Sequence, residues 1–239
     1  QIRDVELGDA IADTRLQLEQ AGVRVEPTQG STLRLSDLCL ALPDGRVLLE
    51  RANASIAPGE RVVVVGPSGA GQTTLFRAIL GHWPFGTGRI QVPAGARLEF
   101  LSQRPYLPIA TLREVASYPA PERTFSDAQI GEALRAVGLP QLVDLLAETD
   151  HWEKRLSDGE QQRIALARVL LHAPDWIFLD DATGALDEDA ERKMYELLAE
   201  RLPHAAVVSI AHRPAVIRYH TRRWTLVPDR DGRAVLQSA

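Results

Sequence analysis

A glycine-rich segment in the first third of the chain has the residue types that hold phosphate groups. It consists of Gly66, Pro67, Ser68, Gly69, Ala70, Gly71, Gln72, Thr73 and Thr74. Glycines let backbone N–H groups close around phosphate oxygens, and a helix that starts there adds partial positive charge. The hydroxyl of Thr73 stands where the pattern GxxxxGK[ST] places a Mg²⁺ ligand. The segment predicts a nucleotide-phosphate site; the alternative is a glycine-rich turn without a ligand.

One position departs from that pattern, because Gln72 stands where the pattern has lysine. The glutamine amide still donates hydrogen bonds, but it carries no charge. A hydrogen bond to a charged group contributes about 1.5–3 kcal/mol. We therefore expect the affinity for a nucleotide's phosphates to be lower by roughly ten- to 150-fold. Loss of a charge that stabilises the transition state costs about 10²–10³ in rate.

The elements beside this segment fit a phosphate loop. Residues 61–65 form a continuous run rich in valine, which is typical of a strand buried on both faces of a parallel sheet. A helix is predicted from about Thr73 to Gly81. The chain should therefore enter the loop from a buried strand and leave it at a helix N-terminus.

The rest of the chain alternates between strand and helix patterns. Ser126 and Gln129 form a capping box that opens a helix ending near Gly138. A largely helical stretch covers residues 107–172. Strands are predicted on both sides of the turn at 43–45, near Ala54, within 88–101, at 176–179 and at 205–210, with a helix over 187–201 and a hairpin over 224–235. We expect an α/β fold in which a helical lobe is inserted.

Composition excludes several classes of protein. The chain has 239 residues, a net charge of −5 and a single cysteine. No Lys/Arg-rich run appears, so a nucleic-acid partner is not expected. One cysteine allows no internal disulfide and fits a reducing compartment. No apolar stretch approaches the ~18 residues that span a bilayer. The chain begins with Gln1, so we expect it to be a piece of a longer protein.

Downstream of the phosphate loop, several short motifs resemble those of the ATP-binding cassette (ABC) ATPases, in the family's order. The resemblance covers residues 32–239. It implies a P-loop NTPase (RecA-like) core with a mainly parallel sheet, an antiparallel β subdomain and a helical signature subdomain at roughly 107–165. The corresponding residues are Gln103 of the Q-loop; Leu156, Ser157, Asp158, Gly159, Glu160 and Gln161 of the signature; Asp180 of Walker B; Asp181 at the catalytic glutamate position; Ala185, Leu186 and Asp187 of the D-loop; and the switch His212.

Each motif taken alone has a simpler explanation. A lone His212 is more often a surface or core histidine. Asp180 and Asp181 alone would fit a solvated strand end, and the LSDGE segment alone would fit a helix cap. Six motifs in one order leave these alternatives little room.

The resemblance also implies roles for these residues. ATP and Mg²⁺ would be the ligands, with Thr73, Gln103 and Asp180 at the metal. Asp181 would orient or deprotonate the attacking water, although its carboxylate is one methylene shorter than that of glutamate. Gln72 and Gln103 would also take part in catalysis, and His212 would hold the γ-phosphate. In a head-to-tail dimer, Ser157 and Gly159 would contact the ATP held by the other subunit.

Residues 43–62, 100–119 and 151–189 carry a finer likeness. These segments resemble the YddA-like and SbmA/BacA-like fused transporters and the subfamily D half-transporters. In these proteins a membrane domain precedes the ATPase on the same chain. Residues 1–31, with a helical pattern at 7–21, would then be the connector from that domain. The expected place is the cytoplasmic face of the inner membrane. Three activities remain open: a working ATPase, a module that closes on ATP with little turnover, and a non-transport ABC ATPase. The transported substrate is left open.

Overall fold

The structure, a computed structural model, describes residues 22–121, 123–211 and 213–239. The predicted helix at 7–21 and the switch residue His212 lie outside the described residues. The described residues form two compact units. The first comprises residues 22–96, 210–211 and 220–239, and the second comprises residues 97–121, 123–209 and 213–219.

The first unit contains a seven-stranded part of a sheet and one helix. The strands are β1 (Arg24–Thr28), β2 (Leu33–Ala41), β3 (Val47–Ile56), β4 (Arg61–Val65), β5 (Gly86–Pro93), β11 (Arg222–Pro228) and β12 (Ala234–Ser238), and helix α1 (Gln72–Ile79) follows β4. Their order in the sheet is β1-β5-β2-β3-β12-β11-β4. Strand β2 pairs antiparallel with both β3 and β5, whereas β4 runs parallel to β11. The predicted C-terminal hairpin is present as the antiparallel pair β11 and β12.

Strand β3 corrects one prediction. The sequence predicts one strand after the turn at 43–45 and another near Ala54, but a single ten-residue strand covers both. Arg51 lies inside it with φ 46°, in the left-handed region. Pairing with β2 shifts register here, because Leu38 pairs with Ala52 while Leu40 pairs with Leu49. The extra residue of this bulge interrupts the side-chain alternation, so one strand has the sequence pattern of two.

The second unit has most of the helices. Its strands are β6 (Leu98–Ser102), β9 (Trp176–Asp180), β10 (Ala206–Ile210) and the short antiparallel pair β7 (Ala110–Thr111) and β8 (Thr149–Asp150). Its helices are α2 (Leu112–Ser117), α3 (Asp127–Ala136), a 3₁₀ helix (Pro140–Leu145), α4 (Trp152–Arg155), α5 (Asp158–His172), α6 (Glu188–Arg201) and α7 (Pro214–Ile217). Three of the strands lie in the order β10-β9-β6. Helix α5 packs against α2 and α3, and α6 lies beside α5.

The predicted fold class is confirmed, because parallel strands alternate with helices beside an antiparallel group. The central strands supply the core, since residues 62–64 and 176–179 are all buried. No helix among the described residues is long and apolar enough to cross a membrane.

Substitution of Phe178 tests how much the buried residues of β9 contribute to stability. Its side chain is fully buried, so we expect Phe178→Ala to lower the free energy of unfolding by about 3–5 kcal/mol. Ile109→Ala is the control, because Ile109 is 63% exposed and should change stability by no more than ~0.5 kcal/mol. Urea unfolding followed by circular dichroism measures both. Equal effects of the two substitutions would contradict the assignment of β9 to the core.

Candidate functional site

The loop between β4 and α1 depends on three glycines. Gly69 has φ 82° and Gly71 has φ 96°, in the left-handed region that favours glycine. At Gly66 a Cβ would lie 3.0 Å from the carbonyl oxygen of Leu226. Strand β11 passes that close because it pairs with β4. The backbone could not follow this path with larger residues at these positions.

Helix α1 presents its N-terminus behind this loop. Gly71 is the N-cap residue, and within the described part of the chain no side chain caps the helix. The first N–H groups of a helix have no intrahelical acceptor, and together they carry about half a positive charge. Pro67, Ser68 and Gly69 are exposed, while Thr73 is half-buried. The loop therefore offers an accessible, uncapped helix N-terminus to an anion.

Gln72 is only 6% exposed. Its Nε2 donates a hydrogen bond to the carbonyl oxygen of Val64 at 3.5 Å, a long and weak contact. Most of this side chain therefore lies against the strand that leads into the loop. It supplies no charge beside the uncapped N–H groups.

In the second unit, two strand ends bring Gln103 and Asp180 to one edge. Strands β6 and β9 run parallel, with Ser102 opposite Asp180. Gln103 follows Ser102 directly, so it leaves the sheet beside Asp180. Amide, carboxylate and hydroxyl oxygens are the ligands that Mg²⁺ prefers. The donors predicted for the metal, which also include Thr73, therefore fit it chemically.

Asp181 has an unusual backbone. Its φ is 50°, in the left-handed region that most side chains avoid. The N–H of Gly184 donates to the Asp181 carbonyl oxygen at 3.0 Å. A Cβ at position 184 would lie 2.9 Å from Asp181 Oδ2. The carboxylate therefore occupies the space that any side chain at 184 would need.

Gln162 is a site residue that the predicted set does not contain. Its side chain is 4% exposed, and its Nε2 donates to the Gln103 carbonyl oxygen at 3.0 Å. Its Oε1 accepts from the N–H of Ala185 at 3.1 Å. One amide thus holds both the Q-loop and the D-loop. The only signal in the sequence is its place directly after Gln161.

Arg168 also holds the segment after Gln103. Its Nη1 donates to the Tyr106 carbonyl oxygen at 3.0 Å, and its Nε donates to that of Val115 at 2.8 Å. Burial lowers the pKa of Arg168 to about 10, and burial raises the pKa of nearby Glu99. The guanidinium remains charged at neutral pH and holds the backbone of both segments.

The signature segment lies at the start of α5, as predicted. Ser157 is the N-cap, and it forms a capping box with Glu160. The Ser157 N–H donates to Glu160 Oε2 at 2.9 Å, and the Glu160 N–H donates to Ser157 Oγ at 3.3 Å. Hydrogen bonding to the Ser157 N–H, opposed by partial burial, lowers the pKa of Glu160. Ser157 is exposed, so its hydroxyl is accessible to a partner even though it also caps the helix.

The other signature residues have clear local positions. Leu156 is buried, and Asp158 is exposed at the first position of α5. Gln161 Nε2 donates to the carbonyl oxygens of Glu153 at 2.8 Å and Leu156 at 3.0 Å. Gly159 faces the D-loop, because a Cβ there would lie 3.3 Å from the Ala185 carbonyl oxygen.

The D-loop residues also have structural roles. Asp187 caps α6, since its Oδ1 accepts from the N–H of Ala190 at 2.8 Å. Leu186 is buried. The second unit therefore brings together Gln103, Asp180, Asp181, the D-loop and the signature, while residues 66–74 belong to the first unit. The structure gives no description of His212.

The family model described as ABC transporter matches residues 49–184, more than half of the chain. The chain belongs to the ABC transporter family. The match includes the phosphate loop, Gln103, the signature and both aspartates. It ends before the D-loop.

Several ABC proteins are similar to this chain. An uncharacterized ABC transporter ATP-binding protein of Synechocystis sp. is 38% identical over 83% of the chain and 32% of its own length. The inner membrane ABC transporter ATP-binding protein YddA of Escherichia coli is 35% identical over 82% of the chain and 33% of its own length. ABC transporter D family member 1 of Arabidopsis thaliana is 31% identical over 89% of the chain and 17% of its own length. The predicted likeness to YddA and to subfamily D is confirmed.

Among solved structures, a bacterial Atm1-family ABC exporter with ATP bound has a TM-score of 0.76 and 25% identity. The match covers 89% of this chain and 40% of the exporter chain. The chain spans about a third of the length of the first curated relatives.

Comparison of the two capping boxes distinguishes the effect of Ser157 on helix stability from its effect on ATP turnover. Ser126 caps α3 with Gln129 in the same arrangement that Ser157 forms with Glu160. We expect Ser126→Ala and Ser157→Ala each to lower the free energy of unfolding by about 1 kcal/mol. Only Ser157→Ala should also lower ATP turnover, measured as phosphate release. Equal turnover in the two variants would contradict a role for the Ser157 hydroxyl beyond capping.

The same pair predicts a pH dependence. A lowered folded-state pKa means that Glu160 stabilises the fold above its unfolded pKa of about 4.3, and that this stabilisation is lost as the pH falls through the folded value. We expect Glu160→Gln to be destabilising at pH 7 and progressively less so as the pH falls below about 4.3 and through the lowered folded-state pKa. Gln129→Glu should show the reciprocal behaviour, gaining stability only above about pH 4.3. Urea unfolding across this range measures both, and a pH-independent effect of Glu160→Gln would contradict the capping role of its charge.

Proposed function

We propose that this chain is the nucleotide-binding domain of an exporter-type ABC transporter and that it binds and hydrolyses ATP. The observation that carries the proposal is the uncapped N-terminus of α1 behind the glycine loop. Such a helix end binds phosphate because its N–H groups and its dipole both favour an anion. The ATP-bound state of the exporter with the similar fold supports ATP as the ligand.

Residues 66–74 would hold the ATP phosphates. Thr73, Gln103 and Asp180 would hold Mg²⁺, which neutralises charge on the phosphate oxygens when bound. Asp181 would accept the proton of the attacking water. Its left-handed backbone, in the turn closed by the Gly184 N–H, sets the direction of its Cα–Cβ bond. His212 would hold the γ-phosphate.

The proposed partners follow from the relatives. The chain spans only about a third of the first curated relatives, and YddA is described as an inner membrane ABC transporter protein. A membrane domain on the same polypeptide would precede residue 32, with 1–31 as its connector. A second nucleotide-binding domain would bind head-to-tail. The exposed Ser157 and the N-terminus of α5 would contact ATP held by that second copy. The domain would lie on the cytoplasmic face of the membrane.

A second candidate activity is ATP binding with little turnover. The position of Gln72 favours it, because this buried side chain contacts Val64 and brings no positive charge to the phosphates. Equilibrium ATP binding and steady-state phosphate release, measured on the same wild-type preparation, separate the two candidates. Binding with release supports the first and binding without release the second. Absence of binding in the presence of Mg²⁺ would overturn both.

Restoring the family's residue at positions 72 and 181 should have a different effect at each position. Gln72→Lys restores a charge at the phosphates, so we expect ATP affinity to rise about tenfold and turnover to rise with it. Asp181→Glu extends the carboxylate and should act mostly on turnover. ATP titration measures the affinity and phosphate release measures the turnover, for both single variants and for the double variant.

Matched controls use the same side-chain changes at exposed positions. Gln237→Lys and Asp231→Glu should leave both ATP affinity and turnover unchanged, since both residues are exposed and lie outside the site residues. If Gln72→Lys also changes neither quantity by more than about twofold, Gln72 is adapted to this site and the interpretation of a missing charge is wrong.

A further inference from the structure

Helix α6 carries a fully buried carboxylate, Glu191, close to the D-loop. Its exposed fraction is 0%. Glu191 Oε1 accepts hydrogen bonds from Thr183 Oγ1 at 2.6 Å and from Arg213 Nη2 at 2.5 Å. Its second oxygen, Oε2, has no hydrogen-bond partner among the residues that the structure describes. This buried charge belongs to none of the predicted motifs.

The Arg213 guanidinium bonds to more than this carboxylate. Nη2 donates to the Thr183 carbonyl oxygen at 2.6 Å, and Nη1 donates to the Leu186 carbonyl oxygen at 3.1 Å. A guanidinium presents its donors in a rigid plane, so these bonds fix relative positions as well as distances. Two carbonyls of residues 183–187 are therefore held by the residue that directly follows His212.

Stability alone is a poor explanation for this arrangement. A buried ion pair often contributes no more than apolar residues of the same volume, because both charges lose their hydration. The unpaired Oε2 adds a further cost. The arrangement does specify a geometry, since one planar group meets a carboxylate and two carbonyls at once.

We propose that Arg213, oriented by Glu191, is a positioning residue that fixes the D-loop segment 183–187 against helix α6. The proposal rests on the proposed ATPase function for its consequence, because Asp181 is the group proposed to act on the attacking water. Arg213 itself is not proposed to contact the nucleotide. Its effect reaches Asp181 through the turn in which Gly184 N–H bonds to the Asp181 carbonyl oxygen.

Arg213→Lys in the full chain is the test. Lysine keeps the charge opposite Glu191, but a single ammonium cannot reproduce the planar fork that holds both carbonyls. Hydrogen exchange gives a readout independent of activity, since the N–H groups of Gly184 and Leu186 close the turns of this segment onto Asp181 and Thr183. We expect their exchange to accelerate about tenfold, with β9 and α6 unchanged. We also expect kcat to fall about tenfold, with KM for ATP changing by less than about twofold.

Arg192→Lys is the matched control. Arg192 lies on the same helix as Glu191 and pairs with Asp189 and Glu196, but at the exposed surface. It should change neither exchange at 184–186 nor kcat. Glu191→Gln is the second variant: it keeps an acceptor for Thr183 and removes the charge that orients Arg213, so it should change both readouts in the same direction as Arg213→Lys.

The outcomes distinguish this proposal from the proposed function. Unchanged exchange in both Arg213→Lys and Glu191→Gln overturns the positioning role, whatever the activity. Faster exchange with unchanged kcat overturns its link to hydrolysis. A wild-type chain that does not hydrolyse ATP refutes the ATPase, and the exchange result then decides the positioning role by itself.

Discussion

The amide of Gln162 is the contact on which the second unit's functional segments depend. One end holds the carbonyl oxygen that follows β6, and the other holds the N–H of Ala185 after β9. An amide has both a donor and an acceptor, so one buried side chain connects two loops that lie far apart in sequence. Helix α5 carries this residue, and its N-terminus carries the exposed Ser157. A displacement of α5 would therefore change the hydrogen bonds to the Q-loop and to the D-loop at the same time.

The sequence predicted the elements whose signals are local. The glycine loop lies between a buried strand and a helix, and Ser126 and Ser157 cap their helices, because each of these features depends on neighbouring residues. Buried strands were also predictable, since runs such as 176–179 are recognisable by their composition. The metal and catalytic roles of these residues remain predictions.

The rest could not be predicted because it depends on contacts between distant segments. Arg51 adopts a left-handed conformation inside β3, and nothing in its side chain favours that. Gln162 and Arg213 acquire their roles from carbonyl groups that lie 27 to 59 residues away along the chain, as in the contact between Gln162 and Gln103. The sequence does not identify which backbone carbonyl accepts such a hydrogen bond, because every residue has one.

Residues 181, 183 and 184 form a connected set. The Asp181 carboxylate fills the space where a Cβ at 184 would lie, so a glycine at 184 suits the position that this side chain adopts. The Thr183 hydroxyl donates to the buried Glu191, and its carbonyl accepts from Arg213. Replacement of any one of these residues would disturb a contact made by another. Their effects on turnover should therefore be non-additive, because the three positions share contacts within one turn.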